Sequence, residues 1–152
     1  MDIRTRFDND QGEGDWLLAA PGLATDDGLE TAVIISLFTD RRADPSDEIP
    51  DGTQDRRGWF GDAYADVTGD RIGSRLWLLS RAKQTAETLQ RARDYAREAL
   101  AWLIEDGIAR EVRVDAAWFA PGRMALEVTI ARAESAPARF RFVVFWDQPN
   151  AV

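Results

Sequence analysis

The sequence predicts an α+β domain: a long helix plus shorter helices packed on an antiparallel β-meander of about three strands, preceded by an extended N-terminal arm. Three observations predict it. Leu89, Ala92, Ala96, Ala99 and Leu103 recur at spacings of 3, 4, 3 and 4, which puts them on one stripe of a helix spanning about residues 84–106. After residue 110, apolar side chains fall at every second position in three separate segments, the period of strands with one buried face. Ahead of both lies an acidic, glycine-bearing front that carries no such regularity over residues 1–27.

Taken in order, Asp8-Asn9-Asp10-Gln11-Gly12-Glu13-Gly14-Asp15 favours loop or disorder, because charge and glycine disfavour burial. Its acids lack the twelfth-position Glu of a calcium loop, so no metal site is expected there. Trp16-Leu17-Leu18 is an apolar anchor, either for packing the arm on its own domain or for docking on a neighbour. Over 28–38, Asp26 or Asp27 as N-cap with Glu30 in the first turn argues for helix, whereas the β-branched run around Val33-Ile34-Ile35 argues for strand. Residues 39–58 form a long polar loop with two Arg pairs, Arg41-Arg42 and Arg56-Arg57. Trp59-Phe60 between Gly58 and Gly61 is a rigid apolar knob, which either plugs the core or anchors an interface. Residues 73–81 open a short helix with Ser74 as a possible cap.

The long helix widens its buried face at Leu100, Trp102 and Ile104 and stops at Gly107, a natural C′ residue. Glu105 and Asp106 then oppose the negative end of the helix dipole, so a compensating group such as an Arg, or a subunit contact, is expected. The strands follow: Val112, Val114, Ala116 and Trp118; after the turn Ala120-Pro121-Gly122-Arg123, Met124, Leu126, Val128 and Ile130; and finally Phe140, Phe142, Val144 and Trp146. Residues 28–150 are read as one domain behind the 1–27 arm.

Composition narrows the chemistry. There is no Cys and no His, which removes disulfides, thiol nucleophiles, Ser-His-Asp triads and most zinc sites. Residues 1–55 hold 14 acidic against 4 basic side chains, so DNA phosphates are repelled and nucleic acid is not an expected partner. No apolar run reaches the ~18 residues of a membrane span, and the N-terminus has no hydrophobic signal core, so assembly in a cytoplasm is expected. Glu105-Asp106 could form an acid/base pair, but glycosidase carboxylates flank their substrate from separate positions. No catalytic, cofactor-binding or metal residue is expected.

Several pieces in order resemble one family: Asp15-Trp16; Asp26-Asp27-Gly28-Leu29-Glu30-Thr31-Ala32-Val33; Ser36-Leu37-Phe38-Thr39-Asp40-Arg41-Arg42-Ala43; Gly58-Trp59-Phe60-Gly61-Asp62; Gly73-Ser74-Arg75-Leu76-Trp77-Leu78-Leu79-Ser80-Arg81; and Tyr95-Ala96 through Trp102-Leu103 to Asp106-Gly107. The chain thereby resembles the Mu-like phage baseplate proteins of the gene product forty-six family. That family in turn is similar to the wedge and sheath-initiator proteins of T-even phages. Their long helix ends in Glu-Pro-Arg-Ile, where this chain has Glu105-Asp106-Gly107-Ile108. The resemblance implies a helix at 28–38 and a structural subunit of a contractile tail baseplate. Its partners would be other wedge proteins and the sheath and tube, with the sheet edge offered to the first sheath ring. The isolated chain is expected to be monomeric or weakly associated. The expected subunit contacts are Arg41, Arg42, Trp59, Phe60, Arg75 and Glu105. Two other functions stay open: a small tail-associated glycan hydrolase working through Glu30, Glu105 or Asp106, and an assembly adaptor or chaperone absent from the finished particle.

Overall fold

A computed structural model describes residues 2–19, 22–23, 25–26 and 28–145. The strands run β1 Asp2–Ile3, β2 Thr5–Asp8, β3 Glu13–Trp16, β4 Leu18–Ala19, β5 Gly22–Leu23 and β6 Thr25–Asp26 ahead of helix α1, Leu29–Phe38. Then come 3₁₀ turns at Phe60–Tyr64 and Leu76–Leu79, helices α2 (Ala86–Leu100) and α3 (Trp102–Glu105), and strands β7 (Glu111–Ala120), β8 (Arg123–Ala131) and β9 (Ala138–Phe145). The last three form an antiparallel sheet in the order β7-β8-β9. The alternation predicted for them is realised: Val114, Ala116, Met124, Leu126, Val128, Ile130 and Phe142 are buried on one face. Trp146 lies outside the described residues.

Helix α2 covers that face through Ala92, Ala96, Ala99 and Leu100, all buried. Thr85 caps it, its side chain accepting from Thr88 N–H at 3.2 Å. The predicted continuous helix is interrupted at Ala101, whose N–H bonds to Glu98 O, three residues back, at 3.3 Å. Leu103 is buried, while Ile104, expected inside, is 48% exposed.

Residues 28–38 are helical. Gly28, at φ 87°, holds the N-cap position expected of Asp26 or Asp27; Asp27 lies outside the described residues, as does the side chain of Asp26. The helix buries Thr31, Val33, Ile34, Ser36 and Leu37 because it is covered on more than one side. Trp102 Nε1 donates to Ser36 Oγ at 3.1 Å from the α3 side, and Thr5 N–H donates to Thr31 Oγ1 at 3.0 Å from β2.

The N-terminal segment differs most from expectation. The acidic stretch read as loop or disorder is an antiparallel hairpin, β2 pairing with β3 from Thr5↔Trp16 to Asp8↔Glu13. Asp8 closes its turn by accepting from the N–H groups of Asp10 at 2.8 Å and Gln11 at 3.1 Å, so this acid serves a turn. The hairpin is held by Phe7, only 8% exposed, which stacks on Phe38 at 4.4 Å and meets Phe142 edge-on at 5.3 Å.

Candidate assembly surface

The loop between α1 and α2 is long and irregular, yet it is tied down. Ser74 N–H donates to Thr39 O at 2.9 Å and Arg41 N–H to Ser74 O at 3.0 Å, which brings the two ends of the loop together. Ser74 Oγ, considered above as a cap, accepts from Leu76 N–H at 3.3 Å and also donates to Leu37 O. Trp77 Nε1 donates to Arg41 O at 2.8 Å, and Arg57 lies over the Trp77 ring at 4.4 Å. Arg56 donates to the carbonyls of Asp44 and Pro45, so this pair of the loop is structural.

At the centre stands Arg75, its side chain 18% exposed. It forms a two-pronged pair with Glu98 on α2, at 2.9 and 3.1 Å. Its remaining Nη1 reaches Asp44 at 2.9 Å and Asp47 at 3.0 Å, and its guanidinium lies 4.7 Å from the Tyr95 ring centre. Partial burial alone would lower the Arg75 pKa; hydrogen bonds to Glu98 and Asp47 and their charges outweigh it and raise it. Arg75, one of the expected subunit contacts, thus binds the loop onto α2 within the chain. Three carboxylates do converge, and a cation of the same chain fills the space between them.

Arg41 and Arg42 are held loosely, donating to Arg71 O at 3.5 Å and Arg57 O at 3.3 Å; Arg42 is exposed. The Trp59-Phe60 knob does not plug the core. Phe60 is 79% exposed and Trp59 49%, with the two rings 5.3 Å apart. The Trp59 ring lies on the Gly61 backbone, where an added Cβ would come within 2.2 Å of it. Glu105 is exposed and meets no cation among the described residues, so the compensating Arg expected at this helix end is not there. Ile104 and Ile108, both largely exposed, flank it. Glu30 is paired with Arg4 at 3.4 Å. Glu30 and Glu105 thus sit in different settings.

Sequence reasoning missed how the sheet edges are treated. Strands β7 and β9 are the two edges. On β9, the Asn9 side chain accepts from Val143 N–H at 2.8 Å and donates to Arg141 O at 3.3 Å. One amide thus makes the pair of bonds that a residue of a neighbouring strand would make. The hairpin tip wraps the edge, with Phe7 against Phe142 on the inner face and Gly12, at φ 72°, against Phe145. On β7, Arg93 donates to Ala116 O at 3.0 Å. Each edge is thus capped at one point from within the chain, which lowers the tendency of an isolated subunit to pair edge to edge. Asn9→Ala is expected to cost about 1 kcal/mol and to speed hydrogen exchange at the Val143 amide about tenfold relative to the strand interior. An unchanged exchange rate at that amide would show that Asn9 guards nothing.

A family model described as "Phage protein GP46" matches residues 29–137 of the chain. The chain is 47% identical over 131 residues to "Baseplate protein gp46" of Escherichia phage Mu, covering 86% of this chain and 88% of that protein. It is 41% identical over 135 residues to "Mu-like prophage FluMu protein gp46" of Haemophilus influenzae, covering 89% and 91%. The family match takes in the Arg75 cluster, the aromatic knob and the β7–β8 pair.

Proposed function

The chain belongs to the phage protein GP46 family, and on that premise we propose that it is a structural, non-enzymatic subunit of the baseplate of a Mu-like contractile tail. The observation that carries this reading is likeness, over most of both chains, to a protein named for the Mu baseplate. In this reading the subunit sits in the baseplate wedge and joins the wedge core to the first sheath ring, through the sheet edges and Arg41, Arg42, Trp59, Phe60, Arg75 and Glu105. Assembly takes place in the host cytoplasm.

The side chains favour a scaffold. The converging carboxylates Asp44, Asp47 and Glu98 are each bonded to Arg75, and Glu30 is paired with Arg4. Large apolar side chains stay on the outside, at Trp59, Phe60, Ile104 and Ile108. The net charge of -8 disfavours contact between free copies, in keeping with a purified chain that is monomeric or weakly associated. No helix among the described residues is long and apolar enough to cross a membrane.

The test is composition and loss. Mass spectrometry of purified tail particles should find the chain at a fixed ratio to the other baseplate proteins, and deletion of its gene should leave tubes without sheathed baseplates. Absence of the chain from finished particles would point to an assembly adaptor, and turnover of peptidoglycan by the pure protein would replace the scaffold reading with a hydrolase.

A further inference from the structure

The segment Trp59–Val67 combines exposed apolar rings with charge of one sign. Beyond Trp59 and Phe60, Tyr64 is 82% exposed and Val67 66%. Over residues 59–70 the charged side chains are Asp62, Asp66 and Asp70, with no Arg or Lys. None of the three forms an ion pair among the described residues, whereas the neighbouring arginines 57, 71 and 75 all pair with other acids. Asp62 Oδ1 accepts from Ile72 N–H at 3.2 Å, but Oδ2 is shielded from water and meets no donor among the described residues. A shielded carboxylate oxygen left without a partner is costly in a free subunit. The segment is also preorganised: Asp62 N–H bonds to Trp59 O at 3.1 Å, Asp70 N–H to Val67 O at 3.1 Å, and the Trp59 ring is fixed on Gly61.

We propose that the Trp59–Val67 segment is a docking knob that enters an apolar socket on a different protein chain, and that the rim of this socket carries Arg or Lys. The apolar part follows from four large side chains left in water on one short segment, where a rigid aromatic anchor loses little entropy on binding. The basic rim follows from three carboxylates with no local cation. A second copy of this chain is disfavoured as occupant, because two acidic knobs on chains of net charge -8 repel. The proposal rests on the baseplate reading and adds the chemistry of the partner.

The experiment places photo-reactive benzoylphenylalanine at position 60 of the full chain, in particles assembled from the complete set of tail genes. The expected result is one dominant cross-link to another tail protein, within a few residues of an Arg or Lys. A cross-link to a second copy of this chain, or none at all, overturns the proposal. In parallel, the triple change Asp62→Asn, Asp66→Asn and Asp70→Asn keeps the Oδ1 acceptor for Ile72 and removes the charge. With thermal unfolding unchanged, its incorporation into particles in competition with the wild type should fall about tenfold at physiological salt. Incorporation equal to wild type overturns the basic rim. If the wild-type chain itself is missing from particles, the baseplate reading has failed and the knob's partner with it; a wild type that assembles with an indifferent knob fails the knob alone.

Discussion

Arg75→Met is expected to lower the unfolding free energy by about 3 kcal/mol, the low end of what removing one partner of a buried ion pair costs. The reason is the asymmetry between keeping a charge cluster and halving it. With Arg75 present, Asp44, Asp47 and Glu98 share one guanidinium. Without it, three carboxylates face one another, with Asp47 only 13% exposed. The partial exposure of Asp44 and Glu98 lets water recover some of the loss, hence the lower figure. Arg75→Lys should recover only part, since an ammonium cannot make the two-pronged pair with Glu98 while also reaching Asp44 and Asp47. Urea unfolding measures both, and Arg75→Met combined with Glu98→Gln should cost less than the sum of the single changes. A loss under about 1 kcal/mol for Arg75→Met would mean that the loop is held to α2 by other contacts. Because the Arg75 pKa is raised, its stabilisation is complete below the ordinary arginine range and is lost only as pH climbs through the raised value. Its own titration thus sets no pH dependence near neutrality.

Phe7→Ala is expected to cost about 3 kcal/mol, as for other buried aromatics truncated to alanine. Phe7 is the buried apolar side chain that fastens the β2–β3 hairpin, sitting between Phe38 of α1 and Phe142 of β9. Its loss should free the hairpin before the rest of the domain, so proteolytic nicking at Asn9–Gly12 and exchange at Val143 should both rise below the global unfolding midpoint. If the variant unfolds in one step with Val143 protected to the end, the hairpin is an integral part of the core rather than a clasp laid over it.

These two sites show where sequence reasoning stopped. The partners of Arg75 lie 31, 28 and 23 residues away, and those of Asn9 lie 132 and 134 away. No local spacing encodes such meetings. The hairpin was misread because only Phe7 along it is plainly buried, so its composition is that of a solvated loop. The ambiguity of 28–38 has the opposite cause. A helix covered by β2 on one side and α3 on another has no polar stripe, and without one the helical period cannot be seen. The knob was legible as a knob, but exposure depends on what the rest of the chain leaves uncovered.

By itself the sequence determined what depends on near neighbours: three strands by period-two alternation, the buried stripe of α2 by its 3-4 spacing, and the helix end by Gly107 at φ 73°. Tertiary structure alone decided that Arg75 is an internal clamp, that Asn9 closes the β9 edge, and that Trp59 and Phe60 face water. The physical reason is range. Backbone geometry repeats over two to four residues and leaves its mark on the order of side chains, whereas ion pairs, edge caps and exposure arise when distant segments meet, and many sequences satisfy the same local pattern without meeting in this way.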